Sequence, residues 1–135
     1  MKILIIDNDV STVATLKALL ISQEPFQIDV AYSGQEGLDK MMANPSYNVV
    51  LLDIMMPQIS GMDVCRAMAQ NGRLREIPVL LMSSALPIPP EEFHESFEKS
   101  NSLSVIKGVL EKPFAIDSLL EQIHKVARRS NNPIF

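Results

Sequence analysis

Val49-Val50-Leu51-Leu52-Asp53-Ile54-Met55-Met56-Pro57-Gln58-Ile59-Ser60-Gly61 is the stretch from which the rest of the chain can be read. It opens with four apolar residues in a row, meets a carboxylate at Asp53, and passes through Pro57 to Ser60-Gly61 ahead of a helical pattern. A short continuous apolar run, rather than an alternating one, marks a strand covered on both faces. Two other runs share this character, Ile3-Leu4-Ile5-Ile6 and Val79-Leu80-Leu81-Met82, and weaker candidates lie at 27–31 and 105–110.

Between the runs the period changes to that of helices. Val13, Leu16, Leu19 and Leu20 mark one face of a first helix. Ser33-Gly34-Gln35-Glu36 reads as a capping box opening a second, with Leu38, Met41 and Met42 behind it. Met62, Cys65, Met68 and Ala69 give a third, and Ile116, Leu119, Leu120, Ile123 and Val126 a last one. Strand and helix alternating through the chain predict an open parallel sheet with helices on both faces. Residues 85–104 interrupt the alternation. Pro87, Pro89 and Pro90 exclude a regular helix before 90, so an extended loop, a short helix at 91–99 and a further loop are expected.

Composition narrows the function classes. With 135 residues, 47% hydrophobic and 21% charged, the chain has room for one well-buried core. A net charge of -4 argues against a binder of the nucleic-acid backbone, which needs clustered Lys and Arg. The late cluster Lys125, Arg128 and Arg129 falls where the last helix ends and reads as a complement to its dipole. No apolar run suits a bilayer span or a signal peptide, and a lone Cys65 excludes an internal disulfide, which together suggest the cytoplasm. The eight methionines and Cys65 read mostly as core filler. Glu91, His94 and Glu95 could share a helix face, but a solvated face is the expectation. His124 has no partner visible in sequence.

In open α/β sheets ligands bind beyond the carboxyl ends of the strands. The first run ends in Asp7-Asn8-Asp9, the third element in Asp53, the fourth in Ser83-Ser84 and the fifth in Glu111-Lys112-Pro113. Carboxylates, a hydroxyl and a lysine should therefore meet at one edge. Carboxylate oxygens suit magnesium, which takes one or two of them and keeps several waters. Metal, hydroxyl and ammonium together can stabilise a phosphoryl group in transit, and an aspartate can be its nucleophile. The constellation is that of metal-assisted phosphoryl transfer.

The spacing Asp53-x-x-Met56-Pro57-x-x-x-Gly61 matches the phosphoacceptor motif of response regulator receiver domains, the CheY-like superfamily of two-component signalling. Residues 3–9, Ser83 and Lys112-Pro113-Phe114 fall in that family's order, so the chain resembles it over nearly its whole length. The resemblance implies a flavodoxin-like, doubly wound sheet of five parallel strands in order 2-1-3-4-5. Five helices would flank it, with an irregular region at the fourth. A receiver domain would span 1–129, followed by a short tail at 130–135 and no effector domain. Asp53 would accept the phosphoryl group, and Ser83 and Lys112 would contact its oxygens. Asp7, Asn8, Asp53 and the backbone carbonyl of Met55 would hold Mg2+. A histidine kinase or histidine phosphotransfer protein would be the donor and an unnamed downstream protein the target. The chain would catalyse only its own phosphorylation and dephosphorylation, and a homodimer stays open.

Three departures qualify this picture. Asn8 stands where the family usually has a second acidic residue, so magnesium should bind more weakly; Asp9 can replace the charge or simply cap the first helix. Val109 stands where a Tyr or Phe often reports phosphorylation. The span from Ser83 to Lys112 is several residues longer than typical. A pseudo-receiver acting purely as an interaction module is therefore a second reading. A third is a haloacid dehalogenase-type phosphatase, since Asp7-Asn8-Asp9-Val10-Ser11 fits that family's opening, with Asp7 as nucleophile and Asp9 as general acid. That reading lacks the acidic pair after the lysine and leaves Asp53 unexplained.

Overall fold

A computed structural model describes residues 1–83 and 104–128. Five strands form one parallel sheet: β1 (Lys2–Ile6), β2 (Gln27–Ala31), β3 (Val49–Asp53), β4 (Val79–Ser83) and β5 (Ile106–Glu111), in order β2-β1-β3-β4-β5. Four helices are described: α1 (Val10–Gln23), α2 (Gly34–Ala43), α3 (Gly61–Ala69) and α4 (Ile116–Val126). The count of five helices is thus not met among the described residues. The expected helix at 91–99 and its flanking loops, with Ser84, His94, Arg129 and the tail at 130–135, lie outside them.

The continuous apolar runs follow from two separate cores. Successive side chains of a strand point to opposite faces. Leu4, Ile6, Val50, Leu52, Val79 and Leu81 accordingly pack on one face with Val64, Cys65 and Met68 of α3 and Met41 of α2. Ile3, Ile5, Val49, Leu51, Leu80 and Met82 pack on the other with residues from α1 and α4. Both faces of β1, β3 and β4 are covered, so these strands are apolar at every position between their ends. Burial pushes the Cys65 thiol up to about 12, as befits core filler. The methionines divide: Met41, Met56, Met68 and Met82 are buried, whereas Met1, Met42 and Met55 are exposed.

Helix starts depart from expectation in an informative way. Ser33 caps α2 by accepting from the Glu36 amide, but Glu36 reaches back to the Tyr32 amide instead of closing the box on Ser33. The reciprocal box opens α3: Asp63 N–H donates to the Ser60 hydroxyl at 3.2 Å, and the Ser60 amide and hydroxyl donate to Asp63 Oδ2. The Ser60 amide foremost, then its hydroxyl, with Arg66 adding, holds the Asp63 carboxyl below its ordinary value of 3.8. A depressed folded-state value contributes stability that is present above the unfolded value and lost as pH falls through the folded one. Asp63→Ala is expected to cost about 1 kcal/mol near neutral pH, solvent screening holding it there. Urea midpoints should show that gap narrowing as pH falls below 3.8.

A polar cluster closes the opposite end of the sheet. Asn48 is buried; its Oδ1 accepts from the Lys2 amide at 2.7 Å and its Nδ2 donates to the Arg128 carbonyl at 2.8 Å. Arg128 does not complement the dipole of α4. Its guanidinium donates to the carbonyls of Tyr47 and Pro45, pinning the segment after α4 to the turn before β3. Asn48→Ala leaves a partly buried donor on Lys2 and a partly buried acceptor on Arg128 without their partner, so a loss of about 1–3 kcal/mol is expected in urea unfolding. His124 also finds a partner, Glu24 at the end of α1, 2.6 Å away.

Candidate functional site

Register brings the predicted residues together. β1 and β3 pair with Ile6 opposite Leu52, so one step further Asp7 and Asp53 stand side by side where the strand order reverses. Asp53 pairs across β4 with Met82, and Ser83 with Glu111 of β5. The Lys112 amide then donates to the Ser83 carbonyl at 2.6 Å, carrying the lysine over the site. Its Nζ lies 2.9 Å from Asp7 Oδ2.

The carboxylates differ in their surroundings. Asp7 is 1% exposed and also accepts from the Asp9 amide through Oδ1 at 2.9 Å. Asp53 is 6% exposed and accepts from the Met55 amide through Oδ1 at 3.1 Å. Burial foremost holds the Asp53 carboxyl above its ordinary value. The Met55 amide and Lys112 pull it back, and the neighbouring Asp7 adds to the rise. One ammonium thus faces two buried carboxylates. Among the described residues no group of three or more His, Cys, Asp or Glu could hold a metal. Two carboxylates with a backbone carbonyl are nonetheless the kind of set that suits Mg2+, which keeps much of its water.

The remaining candidates fall into place around this centre. Asp9 is the N-cap of α1: Oδ1 accepts from the Ser11 and Thr12 amides and Oδ2 from the Thr12 hydroxyl. Asn8 is exposed in the turn between Asp7 and that cap. The Met55 side chain is exposed, and its amide donates to Asp53 Oδ1.

The loop after Asp53 explains its own residue types. Met56 is buried in the core, Gln58 turns the chain at φ 67°, and the Gly61 amide donates to the Ile54 carbonyl at 3.0 Å. A Cβ on Gly61 would stand 2.5 Å from the Asp53 carbonyl oxygen and 2.8 Å from Ile54 Cα. Only glycine lets α3 start so close to the strand carrying Asp53.

A groove of about 560 Å3 lies beside the site, between α1 and Lys112-Pro113-Phe114, with Thr12, Thr15 and Leu19 on its α1 side. The sequence reading missed it, taking Leu19 for core where it is 43% exposed. A signal was there: α1 carries one charged residue, Lys17, and has apolar residues such as Val10, Leu19 and Ile21 outside its buried face.

Comparison with known proteins gives a consistent picture. The response regulator receiver domain matches residues 3–124. Response regulator ArlR of Staphylococcus saprophyticus is 30% identical over 129 residues, covering 95% of this chain and 53% of that protein. ArlR of Staphylococcus haemolyticus is 28% identical, covering 93% and 52%. The chain thus spans about half the length of these curated relatives. Among solved structures, the N-terminal domain of a response regulator receiver protein from Methanoculleus marisnigri is 32% identical at a TM-score of 0.69, covering 95% of this chain and 98% of that one. Chemotaxis protein CheY4 of Vibrio cholerae, at 22% identity, shares the fold with a TM-score of 0.77 over 93% of this chain and 97% of its own.

Proposed function

Because the chain belongs to the response regulator receiver domain family, we propose that it takes a phosphoryl group onto Asp53 from a histidine kinase or histidine phosphotransfer protein. The observation that carries this reading is the meeting of buried Asp53 and Asp7 with Lys112 Nζ, 2.9 Å from Asp7, at the carboxyl ends of adjacent strands. The Met55 amide orients the Asp53 carboxylate through Oδ1, and Oδ2 would attack phosphorus. The new bond is Oδ2–P; the bond from phosphorus to the donor breaks, and its electron pair leaves with the donor. Lys112 and Ser83 would hold the phosphoryl oxygens as charge moves across them. Asp7, Asp53 and the Met55 carbonyl would hold Mg2+, which when bound neutralises charge on those oxygens. Asn8 could add an amide oxygen.

The exposed face of α1 suits such a donor. Val10, Ala14, Ala18 and Ile21 recur at helical spacing on its outer surface, beside the groove that ends at Lys112. A helix-bearing partner laid there would deliver its phosphoryl group next to Asp53. We place the protein in the cytoplasm, with a downstream protein as target. No helix among the described residues is long and apolar enough to cross a membrane.

Incubation with magnesium and acetyl phosphate, followed by intact-mass measurement, tests the reading. A gain of one phosphoryl group that disappears in Asp53→Asn is expected. No gain at saturating magnesium would favour the pseudo-receiver alternative that Asn8 and Val109 motivate. The phosphatase alternative is disfavoured because Asp9, its general acid, has both oxygens engaged in capping α1.

A further inference from the structure

We propose that the groove between α1 and Lys112-Pro113-Phe114 seats the apolar tail of a small acyl phosphate, so that the chain prefers medium-chain or aromatic acyl phosphates to the acetyl one. The inference rests on the receiver reading and names a substrate class for it. Its basis is how the groove is divided. At about 560 Å3 it falls within the size range of small-molecule sites. One end lies beside the carboxylates: Lys112 Nζ is 2.9 Å from Asp7, and Thr12 belongs to the first turn of α1. Leu16, which is buried, and Leu19, which is 43% exposed, follow along α1 away from that end, and Pro113 and Phe114 complete the apolar lining. Lys112 is the one charged residue among its described lining residues, so no carboxylate of the groove repels an anion. A cavity that is cationic and hydroxylic at one end and apolar beyond it matches an anion with an apolar tail. Thr12 to Leu19 spans roughly 10 Å of helix, room for a chain of several carbons.

Transfer from such a donor balances without a further reactant. Asp53 Oδ2 forms the new bond to phosphorus; the bond from phosphorus to the acyl oxygen breaks, and its electron pair leaves on the carboxylate of the released acid. One acyl phosphate is exchanged for another, and no proton has to move. Acetyl phosphate offers the groove a single methyl group and leaves Leu19 and Phe114 uncovered. A longer or aromatic tail covers them, and binding energy gained away from phosphorus can be used to hold the phosphoryl group in line with Asp53.

Rates of mass gain of the full chain with magnesium and acetyl, hexanoyl or benzoyl phosphate test the proposal. Hexanoyl phosphate is expected to react about tenfold faster than acetyl phosphate at equal low concentration, because its added methylenes leave water. Thr15→Trp fills the groove from an exposed position, and Leu19→Asp places a carboxylate in its lining. In each variant the hexanoyl-to-acetyl ratio should fall to about two or less, with acetyl phosphate on the same variant as the internal reference. A second readout needs no phosphorylation. The phosphonate analogue of hexanoyl phosphate, with a methylene in place of the bridging oxygen, should shift the methyl resonances of Leu16 and Leu19 in Asp53→Asn. Equal rates for acetyl and hexanoyl phosphate, a ratio untouched by both variants, or leucine signals unmoved at saturating phosphonate overturns the proposal and leaves the groove to a helix of a protein donor. Failure of the receiver reading would look different: no donor, acetyl phosphate included, would add mass at Asp53.

Discussion

Gly61→Ala is expected to lower unfolding stability by about 3 kcal/mol and to slow phosphorylation of Asp53 at least tenfold. The added Cβ would meet the Asp53 carbonyl oxygen at 2.5 Å and Ile54 Cα at 2.8 Å. Both are backbone atoms of the strand end that presents the acceptor, so no rotamer change relieves the contact. Either α3 moves away or β3 does. Moving α3 breaks the bond from the Gly61 amide to Ile54 and disturbs the Ser60–Asp63 cap. Moving β3 displaces the carboxylate. Gly72→Ala is the contrast: its Cβ would meet nothing within 4 Å, so a change within about 1 kcal/mol is expected. Urea unfolding and the rate of mass gain with acetyl phosphate measure the two effects. Wild-type stability in Gly61→Ala would show that the helix and strand are not in the tight contact described.

Lys112→Ala should have a larger effect on chemistry and a separable effect on folding. Removing a cation that faces developing charge on phosphoryl oxygens is expected to slow phosphorylation about a hundredfold. It also leaves Asp7, 1% exposed, with the Asp9 amide as its remaining described partner, at a cost of about 2–3 kcal/mol. The double variant Asp7→Asn/Lys112→Ala removes the orphaned charge with the ammonium. It should regain most of that stability while remaining slow to phosphorylate. Recovery of the rate together with stability would mean that Lys112 serves the fold alone.

Much of this was legible in the chain because buried parallel strands leave a strong mark. The runs at 3–6, 49–52 and 79–82 are apolar at every position since both faces of the sheet are covered. The polar residues at the carboxyl end of each run were enough to assemble Asp7, Asp53, Ser83 and Lys112. The signal fails where the environment is less uniform. Leu19 and Met42 sit at core spacing yet are exposed, because helical period gives the direction of a side chain and not whether another element covers it. Arg128 looked like a dipole partner for its own helix. It bonds instead to the carbonyls of Pro45 and Tyr47, more than 80 residues away in sequence.

The division comes from the range of the forces involved. Sequence alone determined the alternating elements, the two-sided sheet and the inventory of groups at its carboxyl edge, since these depend on local period and on the residues that end each run. The role of Asp9 as a cap was also within reach, because it is decided within one helical turn. Tertiary structure decided how those groups pair: that Lys112 sits on one oxygen of Asp7 while the Asp9 amide donates to the other, and that Gly61 abuts the backbone of Asp53. The contact of Lys112 with Asp7 joins residues 105 positions apart. Strand register and side-chain reach bring such groups together, and neither is written in any one stretch of the chain.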